Sequence, residues 1–140
     1  MNRKPCCRWV LGLLSGSFFF NSVLASPPPL TVETLPSGVR VEHQVQGTGK
    51  APNANSMVKV HYRGTLDDGT EFDSSIKRNR PVMFGLYQVI PCWTQGVQKM
   101  KEGGSAKLVC PAETAYGSRS AGKIPANSRL TFEIQLLAVE

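Results

Sequence analysis

The stretch that most constrains this chain is residues 58–93, VKVHYRGTLDDGTEFDSSIKRNRPVMFGLYQVIPCW. It opens in strict alternation, with Val58, Val60, Tyr62, Gly64 and Leu66 on one side and Lys59, His61, Arg63 and Thr65 on the other. A period of two describes a strand with one face in a core and one in water. Asp67-Asp68-Gly69 supplies turn chemistry, and residues 70–73 return as a second short strand. Phe72, Asp73, Arg78, Pro81 and Phe84 follow closely, then Val89-Ile90-Pro91-Cys92-Trp93. Rings crowded around one carboxylate suit an apolar cleft with a few placed polar groups.

The flanking segments supply the rest of a single domain. Residues 30–35 and 39–45 read as strands around Pro36-Ser37-Gly38, a turn by composition. A polar loop, 47–56, leads into the central stretch. Trp93, Val97 and Met100 stand at i, i+4 and i+7, one face of a short helix with Gly103-Gly104 as its stop. So short a helix is marginal alone and must bury that face against a sheet, with Trp93 as the floor of the core. Ala106, Leu108 and Cys110 alternate inward along the next strand. A long loop, 111–125, carries Tyr116-Gly117 and Ile124-Pro125, and residues 129–139 close the domain. One short helix among five or six strands indicates an α+β fold, an antiparallel sheet wrapped around the helix. His43 and His61 are expected on strand faces opposite the apolar side, facing solvent.

The chain has 140 residues, enough for one domain. Its start has the layout of a secretory signal peptide: Arg3, Lys4 and Arg8, an apolar run over 10–20, then Val23-Leu24-Ala25. Residues 1–25 are expected to be that signal, cleaved after Ala25, and 26–33 an extended Pro-rich leader. The alternative is an uncleaved membrane anchor. The run is short of the ~20 apolar residues of a spanning helix and is broken by polar residues, so no membrane span is expected after cleavage. Three of the 16 Lys and Arg and none of the 10 acids lie in residues 1–25, leaving a net charge of +3. With Lys77-Arg78-Asn79-Arg80 as its one basic cluster, the remainder gives no signature of nucleic-acid binding.

Cys92 and Cys110 remain after cleavage. Two thiols in an exported domain invite a disulfide, and two buried free thiols are the alternative. His43, His61, Cys92 and Cys110 lack the close ligand spacing of a zinc site, so no metal or cofactor is expected. Neither Gly-x-Ser-x-Gly nor a P-loop occurs, since Gly47-Thr48-Gly49-Lys50 lacks the spacing and the strand-helix context. Hydrolytic and phosphoryl-transfer machinery are absent from the sequence.

The segments VHYRGTLDDGTEFDSS, RNRPVMF, VIPCW, AYG and IPANSRLTFEIQLL occur in that order. Together they resemble the FKBP-type peptidyl-prolyl cis-trans isomerases, particularly the exported bacterial kind, over residues 34–140. The resemblance implies a proline pocket floored by Trp93 and walled by Tyr62, Phe72, Val89, Ile90 and Phe132. Phe84 and Ile124 would sit near the rim. Asp73 would be the carboxylate at the pocket edge, with Arg78 orienting it. Tyr116 would donate its hydroxyl to a carbonyl beside the bound proline, and the backbone N–H of Ile90 would bind a second carbonyl.

Tyr62, Phe72, Asp73, Tyr116 and Ile90 are thus the expected catalytic set, and Trp93, Val89, Phe84, Ile124, Phe132 and Arg78 the substrate-binding set. Against the family pattern, Val82 replaces a frequent aromatic. Cys92 replaces a glycine and Cys110 an aliphatic residue, and these paired departures favour a Cys92–Cys110 disulfide. The implied activity is rotation of X–Pro bonds in folding exported proteins, in the periplasm or secreted. Macrolides of the FKBP type are implied as inhibitors. Larger exported members add a helical dimerisation domain; with only a short leader before residue 34, a monomer is expected. The other reading of the same cleft is a non-catalytic chaperone that holds proline-containing or unfolded segments.

Overall fold

The computed structural model describes residues 28–140. The expected signal peptide, its cleavage after Ala25 and the start of the Pro-rich leader lie outside the described residues. Seven strands and one helix follow in the order β1 (Thr31–Thr34), β2 (Arg40–Val45), β3 (Met57–Leu66), β4 (Glu71–Ser74), β5 (Val82–Gly85), α1 (Pro91–Val97), β6 (Ser105–Cys110) and β7 (Leu130–Val139). All pairings are antiparallel, in the order β1-β2-β6-β7-β3-β4, with β5 also on β3. The sheet has one strand more than the expected upper count. The addition is β5, whose four residues, only one of them buried, carry too little periodicity to stand out.

The two long strands form the spine. β3 and β7 pair from Val58 opposite Val139 to Leu66 opposite Leu130. Both show the alternation the sequence suggests, and Val58, Val60, Tyr62, Leu130, Phe132, Ile134 and Leu136 are buried. α1 packs across this face, with Trp93 and Val97 buried inside the helix and Met100 buried just past it. The helix begins two residues before Trp93 because Pro91 takes its first turn, where proline's missing N–H costs nothing. It ends at Gln98, well short of Gly103-Gly104.

Cys92, in the first turn of α1, is joined to Cys110 at the end of β6 by a disulfide, with Cα atoms 5.7 Å apart and both residues fully buried. The bond anchors the start of the helix to the sheet. His43 does not face solvent: it is only 8% exposed, on the same side of β2 as Val41. It shares the parity of Val39 and Val41, so the pleat carries it inward. His61 is half-buried, with Nδ1 3.0 Å from Ser75 Oγ.

Both short strands use the same edge of β3. Arg63, Gly64 and Thr65 pair with β4, and residues 57–60 pair with β5. Ser75 fills the gap between them at Tyr62: its Oγ accepts the Tyr62 N–H at 2.8 Å, and its own N–H donates to the Tyr62 carbonyl at 3.0 Å. One buried serine thus stands in for a strand, leaving residues 76–80 free to loop back over the edge. Arg78 lies in that loop.

Candidate active site

A cavity of about 660 Å³ opens on the helix side of the sheet, lined by Tyr62, Phe72, Asp73, Phe84, Gln88, Val89, Ile90, Trp93, Tyr116, Ala121, Gly122, Lys123, Ile124 and Phe132. Its floor is Trp93, 4% exposed. Three rings meet the indole edge to face, Tyr62, Phe84 and Phe132, each with its centroid 5.3 Å away. Tyr62 and Phe84 also meet edge on, at 5.9 Å. Perpendicular contacts of this kind satisfy the ring quadrupoles and fix each ring's orientation.

The outer wall is a second edge-to-face pair, Phe72 and Phe132, 5.5 Å apart. Gly64 on β3 makes room for it. A Cβ there would lie 2.5 Å from Phe72 Cζ and 3.0 Å from Phe132 Cε1. Gly64 interrupts the apolar face of β3 where the wall rings must approach the backbone.

One charged cluster stands at the edge of the rings. The Asp73 carboxylate accepts hydrogen bonds from the Tyr62 hydroxyl, from Arg78 Nη1 at 2.5 Å and from the Ser74 N–H at 2.9 Å. Arg78 Nη2 also reaches the Tyr62 hydroxyl at 3.5 Å. Burial would raise the Asp73 carboxyl, but the bonds from Tyr62 and Arg78, with Arg78's charge, outweigh it and hold Asp73 below the usual carboxylate range. Burial, reinforced by Asp73, pushes the Tyr62 hydroxyl above the usual phenol range. At neutral pH the cluster is therefore a fixed Asp73 carboxylate, a fixed Arg78 cation and a neutral phenol, with no group poised to exchange a proton.

Two donors remain at the walls. Ile90 immediately precedes α1, and its carbonyl accepts from the N–H groups of Trp93 and Thr94 at 3.0 and 3.2 Å. Its own N–H meets no acceptor among the described residues. The Thr94 hydroxyl donates to the Leu86 carbonyl at 2.7 Å and holds the 86–90 turn against the helix. Tyr116, across the cavity and 43% exposed, follows a 3-10 turn, Ala112–Thr114.

Ten of the eleven residues singled out from the sequence therefore line one hollow. Arg78 does not line it and acts on Asp73 from outside. Ile124 is buried inside the wall, deeper than a rim position. Gln88, Ala121, Gly122 and Lys123 were not foreseen. They are small or polar loop residues without periodicity, and their one signal is a position beside residues already singled out. Among the described residues no cluster of His, Cys, Asp or Glu is arranged to hold a metal ion. No helix among them is long and apolar enough to cross a membrane.

A half-wrapped sheet around one helix, with a ring-lined hollow over the helix start, defines a class: the chain belongs to the FKBP-type peptidyl-prolyl cis-trans isomerase family, whose pattern it matches over residues 48–137. It is 50% identical over 109 residues to the FKBP-type peptidyl-prolyl cis-trans isomerase FkpA of Aeromonas hydrophila, covering 78% of this chain and 41% of that protein. It is 50% identical over 107 residues to the peptidyl-prolyl cis-trans isomerase Fkbp12 of Drosophila melanogaster, covering 74% of this chain and 99% of that protein. The crystal structure of FkpA from Escherichia coli superimposes with a TM-score of 0.76 at 45% identity, covering 78% of this chain and 51% of that one. The chain thus spans about two fifths of the FkpA relatives it matches.

Proposed function

We propose that this chain is a peptidyl-prolyl cis-trans isomerase that assists folding of exported proteins. The observation that carries the reading is the ring-lined hollow over Trp93, bordered by one fixed carboxylate and carrying no nucleophile–base pair.

Rotation about an X–Pro bond is slow, tens to hundreds of seconds, because turning it breaks amide resonance. In the twisted state the amide has lost much of its charge separation. An apolar hollow holds that state more readily than the planar, polar one. The proline ring packs on Trp93 between Tyr62, Phe72, Val89 and Phe132, with Phe84 and Ile124 closing the sides. The unpaired N–H of Ile90 and the hydroxyl of Tyr116 hold the flanking carbonyls, so that rotation is confined to one bond. Asp73, kept ionised by Arg78, orients the chain and receives no proton. A thousandfold acceleration asks for about 4 kcal/mol of preference for the twisted state. No bond to the protein forms at any step.

The basic, apolar start of the sequence supports export, hence action in the periplasm or outside the cell. The size and lining of the hollow suit macrolide inhibitors of the FKBP type. A protease-coupled assay on a short proline peptide tests the proposal: a rate well above spontaneous rotation supports it. A spontaneous rate from folded, oxidised protein leaves a holding module in its place.

A further inference from the structure

The mouth of the hollow carries a charge that its chemistry leaves unused. Asp73 and Lys123 are the two charged residues that line it. Asp73 is neutralised by Arg78 and capped by Tyr62. Lys123 has no acidic group within ion-pairing distance among the described residues, and neither has Arg119 on the same loop. The sequence holds no acid between Glu113 and Glu133, so none is available locally. Arg129, the third cation of that span, is tied to Asp67 at 3.0 Å.

Lys123 is also held in place. Ala121 and Ile124 exchange two backbone hydrogen bonds, of 2.9 and 2.8 Å, closing a two-residue turn with Gly122 and Lys123 at its tip. Gly122 has φ +54°, the left-handed backbone that such a turn needs at its first central position. Ile124 is buried in the cavity wall directly after it. The ammonium group therefore hangs from a short, pinned tip, next to a buried anchor and on the same loop as Tyr116.

We infer that Lys123 is a specificity-determining residue that selects prolines with an acidic side chain adjacent to them in the substrate. The inference rests on the isomerase reading and adds to it the charge class of the preferred substrate. A substrate carboxylate beside the proline meets an unpaired cation in a mouth that offers no free anion. A lysine or arginine there meets the same cation. One charge pair at contact range in water is worth about a fivefold factor, and salt removes most of it.

The test compares short peptides with Glu, Gln or Lys placed immediately before or immediately after one proline, assayed for kcat/KM at low ionic strength and again in ~0.5 M NaCl. The expected result at low salt is a preference of Glu over Gln of about three- to fivefold at one of the two positions, with Lys below Gln. At high salt the three converge. Lys123→Glu reverses the order of Glu and Lys, and Lys123→Gln brings the Glu-to-Gln ratio to about one. Equal turnover of all three peptides by the unaltered protein overturns this inference and leaves the isomerase reading intact. Failure to accelerate even the Gln peptide overturns that reading instead.

Discussion

The floor of the hollow and its mouth are built on opposite principles. The floor is core: Trp93 is locked by three perpendicular rings, by a helix start that carries a disulfide, and by two long strands. The mouth is loop: Tyr116 and Lys123 sit on a span held by backbone turns, with their side chains in water. The floor must reject water and keep its shape, so stability and activity are coupled there. In the proposed isomerase the mouth is the part that meets the variable region of a substrate, and being loop it can change without disturbing the fold.

Substitutions should separate the two regions. Trp93→Ala is expected to cost most, about 3–5 kcal/mol of stability, and to abolish turnover; denaturant melts and the peptide assay read both. Removing the disulfide with Cys92→Ala and Cys110→Ala should cost about 3 kcal/mol, from a crosslink that closes 19 residues. Activity should survive at temperatures where that variant remains folded. Gly64→Ala forces a methyl into the Phe72 and Phe132 rings. A loss of about 1–3 kcal/mol is expected, with turnover falling as the wall is displaced.

At the edge between the regions, Asp73→Asn should lower turnover while leaving the fold intact at neutral pH. Because the folded protein holds this carboxyl below its ordinary range, its stabilisation is present above the unfolded value near 4 and is lost as pH falls through the folded one. The stability gap between the two proteins should therefore be flat from about pH 5 to 8 and close in stronger acid. The smallest effect on stability belongs to the mouth: Tyr116→Phe should shift stability by less than about 0.5 kcal/mol and reduce turnover several-fold. A Tyr116→Phe loss as large in melting as in activity would erase the distinction between floor and mouth.

The same division decided what was legible in the sequence. The floor could be read because core residues must repeat with the pleat or the helix turn. Val58, Val60 and Tyr62 did so over ten residues of β3, and Leu130, Phe132 and Ile134 over ten of β7. Where an element was short the signal failed. β5 has four residues, and α1 was displaced by two because Pro91 belongs to its first turn. His43 lies on the inner face, against the expectation for a polar ring, because it shares its parity with Val41. Motif resemblance reached Tyr116 and Ile124, which belong to the family pattern. It could not reach Gln88 or Lys123, whose place at the mouth comes from turns that leave no period behind. The Ser75 substitution for a strand at Tyr62 was equally hidden, since one serine in a loop has no distinguishing neighbourhood in sequence.

The most direct measurement is cis/trans exchange of one X–Pro bond in a short peptide, followed by NMR with oxidised protein in H2O and in D2O. An apolar hollow that moves no proton predicts fast exchange at the same rate in both solvents. Exchange at the spontaneous rate, or a marked slowing in D2O, would contradict it.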